Sequence, residues 1–280
     1  MTIKHAIRPF FAAAKSGTPL FYEQEVEFEW HSGMSWQVKQ RSSDSFQSTI
    51  LEKYSKNGLA PSELLEVSTA SHNHETGQAL SALNLMYEDE GTGIIRPVEN
   101  WFQSAKVFTD SGQTFGPYKE LLDRDKPKRY LNTRLDKKTK EQYANDDLFE
   151  RIQLQIANAT MCGFELHGET YPILPRSAFY DYLYVCALSQ SRNKEIAQSL
   201  LGFRVFTDIM FTPGKGVRRK YNTQARSCAI YVALANRNLL DQALSGYESF
   251  VETVGYPKED AGLANEEHTR SDTGKQMELL

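Results

Sequence analysis

Between Glu23 and Trp30 the chain alternates: Val26, Phe28 and Trp30 are apolar, while Glu25, Glu27 and Glu29 carry charge. A two-residue period suits a half-buried strand, because successive strand side chains point to opposite faces. The second half of the chain follows another period. Ser177 to Ser189 places Phe179, Tyr182, Leu183, Cys186 and Ala187 at helical spacing, with Ser177 as the cap. Lys194 to Leu201 reads as a helix stopped by a left-handed Gly202. Thr223 is placed to cap a helix holding Ala225, Cys228, Ala229, Val232 and Ala233, and Leu239 to Val254 reads as one helix ending at Gly255. Further strands are expected over Glu63 to Ser68 and, as a hairpin or edge strand, over Glu165 to Ile173. The Ser- and Gln-rich stretch from Gly33 to Ser48 reads as a strand followed by a turn. Both periods in one chain imply an α+β fold: a predominantly helical single domain with a few short strands.

That domain is expected to span 1–255, with 256–280 a polar, flexible tail. A chain of 280 residues buries enough apolar surface to fold without disulfides or metals. Its formal charge of −4 excludes a polycation, so nucleic-acid contact must come from local basic patches. Cys162, Cys186 and Cys228 are widely spaced and form no CxxC pair, which disfavours a disulfide framework or a zinc ribbon. Cys186 and Cys228 read as small core residues. The first residues are interrupted by Lys4, His5 and Arg8, unlike a secretory signal, and no apolar run is long enough to span a membrane. A soluble, cytoplasmic protein is therefore expected.

The segment IRPVENWFQSAKVF concentrates the chemistry. Pro97 suits a first helical turn, and Val98, Trp101, Phe102, Ala105 and Phe108 form an apolar stripe. Glu99, Gln103 and Lys106, at i, i+4 and i+7, fall within roughly 60° of arc at the border of that stripe. Partial burial lowers a lysine pKa and makes the amine a nucleophile toward a carbonyl-like carbon. Glu99 is then a candidate proton shuttle, and Gln103 a group that orients the lysine or a ligand hydroxyl. The same three residues also fit the polar border of an ordinary core helix.

Glu99-x-x-Phe102-Gln103-x-x-Lys106 resembles the E-x-x-[YF]-Q-x-x-K helix of the NADAR family. The similarity extends to LLEVSTAS at 64–71, LSALNLMY at 80–87, SAKVFTDSGQTFGPYKELL at 104–122, SAFYDYLYVCAL at 177–188, FTDIMF at 206–211 and YNTQARSCAIYVAL at 221–234. Together these stretches resemble the branch that acts as antitoxins to DNA ADP-ribosyltransferase toxins. Two positions depart from the wider family: Asn100 stands where His is frequent, and 81–85 replaces an S-N-F type loop.

The resemblance implies a hydrolase that removes ADP-ribose from guanine in DNA, with Lys106 forming a Schiff base, and no cofactor or metal. Glu99 would move protons, and Asp208 would be the second carboxylate. The implied partners are ADP-ribosylated DNA and a DNA ADP-ribosyltransferase toxin, with no membrane. Alternatives are an N-glycosidase acting on ADP-ribosylated RNA or on a ribosylamino small molecule, and a non-enzymatic module that binds ADP-ribose or the toxin.

Other residues fall in the matched stretches. Trp101 and Phe102 are candidates for substrate binding, and Ser68, Thr69, Ser81 and Asn84 for hydrogen bonds to ribose or diphosphate. Gly116-Pro117-Tyr118 is a turn that places Tyr118 either on a base or in the core. Asn222, Gln224 and Arg226 open the helix capped by Thr223, where a diphosphate fits. Arg124, Lys126, Lys128 and Arg129, with Arg218 and Arg219, lie in two basic segments that read either as solvated loops or as a phosphate-tracking rim. His72-x-His74 has no companion ligand pattern and reads as a polar loop. Asp146 and Asp147 read as the start of the helix that follows.

Overall fold

The computed structural model describes residues 4–33, 35–71, 75–212 and 222–257. In chain order the strands are β1 (Lys4–Ala13), β2 (Phe21–Trp30), β3 (Leu64–Glu66), β4 (Met86–Asp89) and β5 (Ile94–Pro97). They are followed by β6 (Lys106–Asp110), β7 (Gln113–Phe115), β8 (Thr160–Leu166), β9 (Glu169–Pro172) and β10 (Val205–Thr207). The mixture is α+β. The chain divides into two compact units, one built from 1–78 with 198–280 and the other from 79–197. Among the described residues no helix is long and apolar enough to cross a membrane.

The first unit is built on a sheet of order β2-β1-β10-β3. β1 and β2 pair antiparallel along their whole length, from Lys4 opposite Trp30 to Ala13 opposite Phe21. β10 runs antiparallel to β1 and parallel to β3. In β2, Val26 and Phe28 are buried while Glu25, Glu27 and Glu29 are exposed, as the alternation predicts. β1 buries Pro9 to Ala12 in succession, which a strand does when both faces are covered. Phe10 joins Phe28, Phe46 and Ile50 in one cluster, the last two supplied by the helix Trp36–Tyr54. Phe11 lies against Phe21, and both sit near Arg226 of the helix Gln224–Asn236. Burying each such ring contributes about 1.5–3 kcal/mol.

Several local expectations are corrected here. The amino-terminal apolar run forms β1, with its charged residues in the exposed half. Residues 33–48 do not form a strand and turn; most belong to the helix Trp36–Tyr54, whose N-cap Ser35 accepts from the Val38 N–H at 3.4 Å. Its buried stripe is thin (Phe46 and Ile50 among small polar residues), so the composition hid the helical period. Gly202 is not left-handed; the helix Lys194–Leu200 closes through a turn in which its N–H reaches the Ser199 carbonyl at 3.3 Å. The helix expected over 239–254 breaks into Leu240–Ala243 and Tyr247–Val254, with extended Gly246 between them. Gly255 does end it in the left-handed region, at φ 68.

The second unit holds a sheet of order β7-β6-β8-β9 and the separate hairpin β4-β5. β8 and β9 form the expected hairpin, with β9 at the sheet edge. Phe108, Tyr118, Leu121, Tyr130, Phe149, Ile152 and Ile156 make one core cluster. Asp146 starts the helix Asp147–Ile156 by accepting from the Phe149 N–H at 3.0 Å. Ser177 occupies the N-cap of the helix Ala178–Ser189, but at φ 73 it makes no side-chain capping bond.

Candidate active site

The helix Val98–Ser104 leaves β5 directly. Its first free donors are satisfied by the preceding loop: Val98 N–H reaches the Leu85 carbonyl and Glu99 N–H the Ala82 carbonyl, both at 2.9 Å. Ser81 shapes that loop, its carbonyl accepting from the N–H groups of Asn84 and Leu85 at 2.8 Å. The stretch 80–87 thus serves as the cap of the helix that carries Glu99.

The periodicity predicts a helix running through Lys106, and here the structure differs. Ala105 is the C-cap, and Lys106 opens β6, paired with Phe164 of β8. The β8 ladder takes over from the helix: the Glu165 N–H donates to the Ala105 carbonyl at 2.7 Å. The three polar side chains nevertheless meet. Lys106 Nζ donates to Gln103 Oε1 at 2.6 Å, and Gln103 Nε2 donates to Glu99 Oε1 at 3.0 Å. Gln103 is buried, so this relay is its satisfied state.

Lys106 Nζ also lies 4.9 Å from the centroid of the Phe102 ring. The residue keeps some exposed surface, but its amine end is desolvated. Burial pulls its pKa down from 10.5 to about 8; Glu99 opposes the shift, and the charge of Lys128 adds to it. Phe102 is held by Phe164 and, edge-on, by Tyr180 at 5.0 Å. The Lys106 backbone is confined too. Gly116 has φ +88, and a Cβ there would sit 2.4 Å from the Lys106 carbonyl oxygen. Only glycine allows that approach.

The other expected site residues of this unit differ in their surroundings. Trp101 is buried, with its indole N–H on the Tyr87 carbonyl at 3.0 Å. Tyr118 is buried in the core: it packs with Phe108 and Leu121, and its N–H bonds the Ser104 carbonyl at 2.7 Å. Asn84 is exposed on the capping loop. Arg124 pairs with Asp146 at 3.8 Å, and Arg129 donates to Gln142 at 3.3 Å. Lys126 and Lys128 are exposed. Arg218, Arg219 and the histidines at 72 and 74 lie outside the described residues.

Asp208, Ser68, Thr69, Asn222, Gln224 and Arg226 belong to the first unit, and the Lys106 array to the second. Asp208 is buried, accepting from the N–H groups of Met210 and Phe211 at 3.1 Å and from the Thr223 hydroxyl at 3.0 Å. Burial, then the nearby Glu66, raises its pKa to about 7. Glu66 is a residue the sequence reading missed. Its carboxylate accepts from Ser68 Oγ at 2.5 Å, Thr207 Oγ1 at 2.7 Å and the Ile209 N–H at 2.9 Å, and burial raises its pKa as well. The signal was a lone carboxylate inside the apolar run LLEV. Ser68 is therefore engaged with Glu66, and Thr69 is exposed. Thr223 caps its helix as expected, accepting from the Ala225 N–H at 3.3 Å. Arg226 is buried 5.8 Å from the Phe21 ring centroid, a core position. Asn222 and Gln224 are partly exposed at the same helix start. A hollow of about 260 Å³ in this unit, bordered by Glu63, Arg204 and Arg237, includes none of these residues.

A desolvated lysine, tied through one amide to a carboxylate, is an arrangement suited to an amine nucleophile. Residues 6–262 match the family of DarT1-associated NADAR antitoxins, and the chain belongs to that family. A comparison with curated proteins finds no match.

Proposed function

We propose that the protein is an N-glycosyl hydrolase that removes ADP-ribose from ADP-ribosylated guanine in DNA, and that its antitoxin role rests on this reversal. The observation that carries the reading is the Lys106–Gln103–Glu99 relay in a chain of an antitoxin family. With a pKa of about 8, roughly one Lys106 side chain in eleven is a free amine at pH 7. An unperturbed lysine would offer about one in three thousand. One N–H directed at Gln103 Oε1 orients the amine and leaves its lone pair for the substrate.

The linkage is an aminal between the exocyclic guanine amine and the anomeric carbon of ribose. Protonation of the ring oxygen opens the sugar and leaves a carbon–nitrogen double bond to guanine. The Lys106 lone pair adds to that carbon. A proton passes to the guanine nitrogen, the carbon–nitrogen bond to guanine breaks, and a lysine iminium remains. Water adds to the iminium, the lysine leaves, and the released aldehyde closes to ADP-ribose. Substrate and water thus become guanine in DNA and ADP-ribose. Glu99 is the proposed proton shuttle, and Gln103, bonded to both, holds the carboxylate and the amine in place.

The test is release of ADP-ribose from a guanine-ADP-ribosylated single-stranded oligonucleotide. Native protein should release it and be trapped covalently at Lys106 by borohydride, and folded Lys106→Ala should do neither. Absence of release by native protein, or release undiminished in Lys106→Ala, would overturn the proposal.

A further inference from the structure

Asn100 sits on the same short helix as Glu99 and Gln103, buried. Its side-chain amide donates to three backbone carbonyls of one segment: Leu121 at 3.3 Å, Leu122 at 2.9 Å and Arg124 at 2.9 Å. That segment leads straight into the helix Pro127–Tyr130, which packs against the helix Val98–Ser104. Its far end is anchored by Tyr130 in the core cluster. Its charges are unevenly used. Asp123 is taken by Arg96, Asp146 by Arg124 and Glu141 by Lys137. Lys126 and Lys128 are exposed and make no ion pair among the described residues. Lys128 is close enough for its charge to act on Lys106. A phosphate backbone is the ligand that two unspent cations on one segment fit, one of them near the nucleophile, since it repeats its charge at every nucleotide.

Resting on the function proposed above, we infer that Asn100 is a positioning residue for polynucleotide recognition. It pins the basic segment beside the Lys106 array, so that phosphates flanking the modified base lie on Lys126 and Lys128. The role of Asn100 is indirect: it touches carbonyls, and the lysines touch the strand.

The experiment compares kcat/KM on a guanine-ADP-ribosylated single-stranded oligonucleotide and on the corresponding ADP-ribosylated deoxyguanosine, across about 50–200 mM salt. Native protein should prefer the oligonucleotide, with a rate that falls as salt rises. Lys126→Gln combined with Lys128→Gln should flatten the log–log salt slope by about 1.4, the value for two single-strand phosphate contacts. Asn100→Ala, checked for folding by its melting curve, should flatten the slope in the same sense and reduce the oligonucleotide preference. An unchanged slope in the double lysine variant overturns the inference; that variant is confined to exposed side chains and decides the matter even if Asn100→Ala fails to fold. An unchanged preference in folded Asn100→Ala overturns the pinning role. Equal, salt-independent release from both substrates overturns the inference and leaves the hydrolase reading standing. Release from neither substrate removes the reading on which it rests.

Discussion

Lys106→Met should stabilise the protein while abolishing catalysis, and the size of the effect follows from the buried amine. Holding the Lys106 pKa near 8 instead of 10.5 means that its ammonium form destabilises the folded state by about 3 kcal/mol at neutral pH, at 1.36 kcal/mol per unit. Solvent screening of the partly exposed residue reduces this. Stranding Gln103 Oε1 without its donor offsets about 1 kcal/mol more. A net gain of about 1–2 kcal/mol remains, which for a chain of 280 residues corresponds to a rise in Tm of about 2–3 °C.

The pH dependence carries the sharper test. Between about pH 8 and 10.5 an unfolded lysine holds a proton that the folded one has released. Native stability therefore rises with pH through that window, relative to the methionine variant, and the gap between them closes. Calorimetric melts of both proteins at pH 7, 8, 9 and 10 measure it, the difference cancelling every group they share. A variant that melts at or below the native temperature at pH 7 would refute the reasoning. So would a gap that does not narrow by pH 10.

Other outcomes follow from the same structure. Gln103→Leu removes the amide that holds Lys106 and Glu99 in place and should lower kcat about 10²-fold, the scale of a misplacement of about 1 Å, with the borohydride adduct formed more slowly. Gly116→Ala meets both a left-handed backbone and the Lys106 carbonyl oxygen, and should destabilise by at least about 1–2 kcal/mol in a denaturant titration. Asp208, with its pKa raised to about 7, favours the folded state most below pH 4 and loses that contribution as pH rises through 7. Glu66→Gln removes the neighbouring charge and should shift that loss toward lower pH, read as the midpoint of Tm against pH.

The parts of the fold that were legible in the sequence are those whose determinants are local. Asp146, Thr223 and Gly255 end or begin helices through bonds within three residues or through one backbone angle, and each was readable. The alternation in β2 was readable because one face is wet. β1 was not, since Pro9 to Ala12 are buried together and two-sided burial erases the period. At the site, Glu99 and Gln103 followed from helical spacing. Lys106 was found for a partly mistaken reason: its side chain meets Gln103 from a strand, a junction set by β8, which lies far along the chain. Glu66 escaped notice because its partner Thr207 lies 141 residues away, and no short pattern carries such a pairing.

The order of the first sheet also has a consequence for synthesis. β10 lies between β1 and β3, and it is synthesised only after residues 79–197. Until then the β1–β2 hairpin and β3 have no strand between them, and the apolar flank of β1 that holds Phe10 and Phe11 faces an empty slot. The second unit, contiguous in sequence, is complete first. A chain released near residue 200 therefore carries a complete second unit and a first sheet with open edges, the state most exposed to strand exchange with another copy of itself.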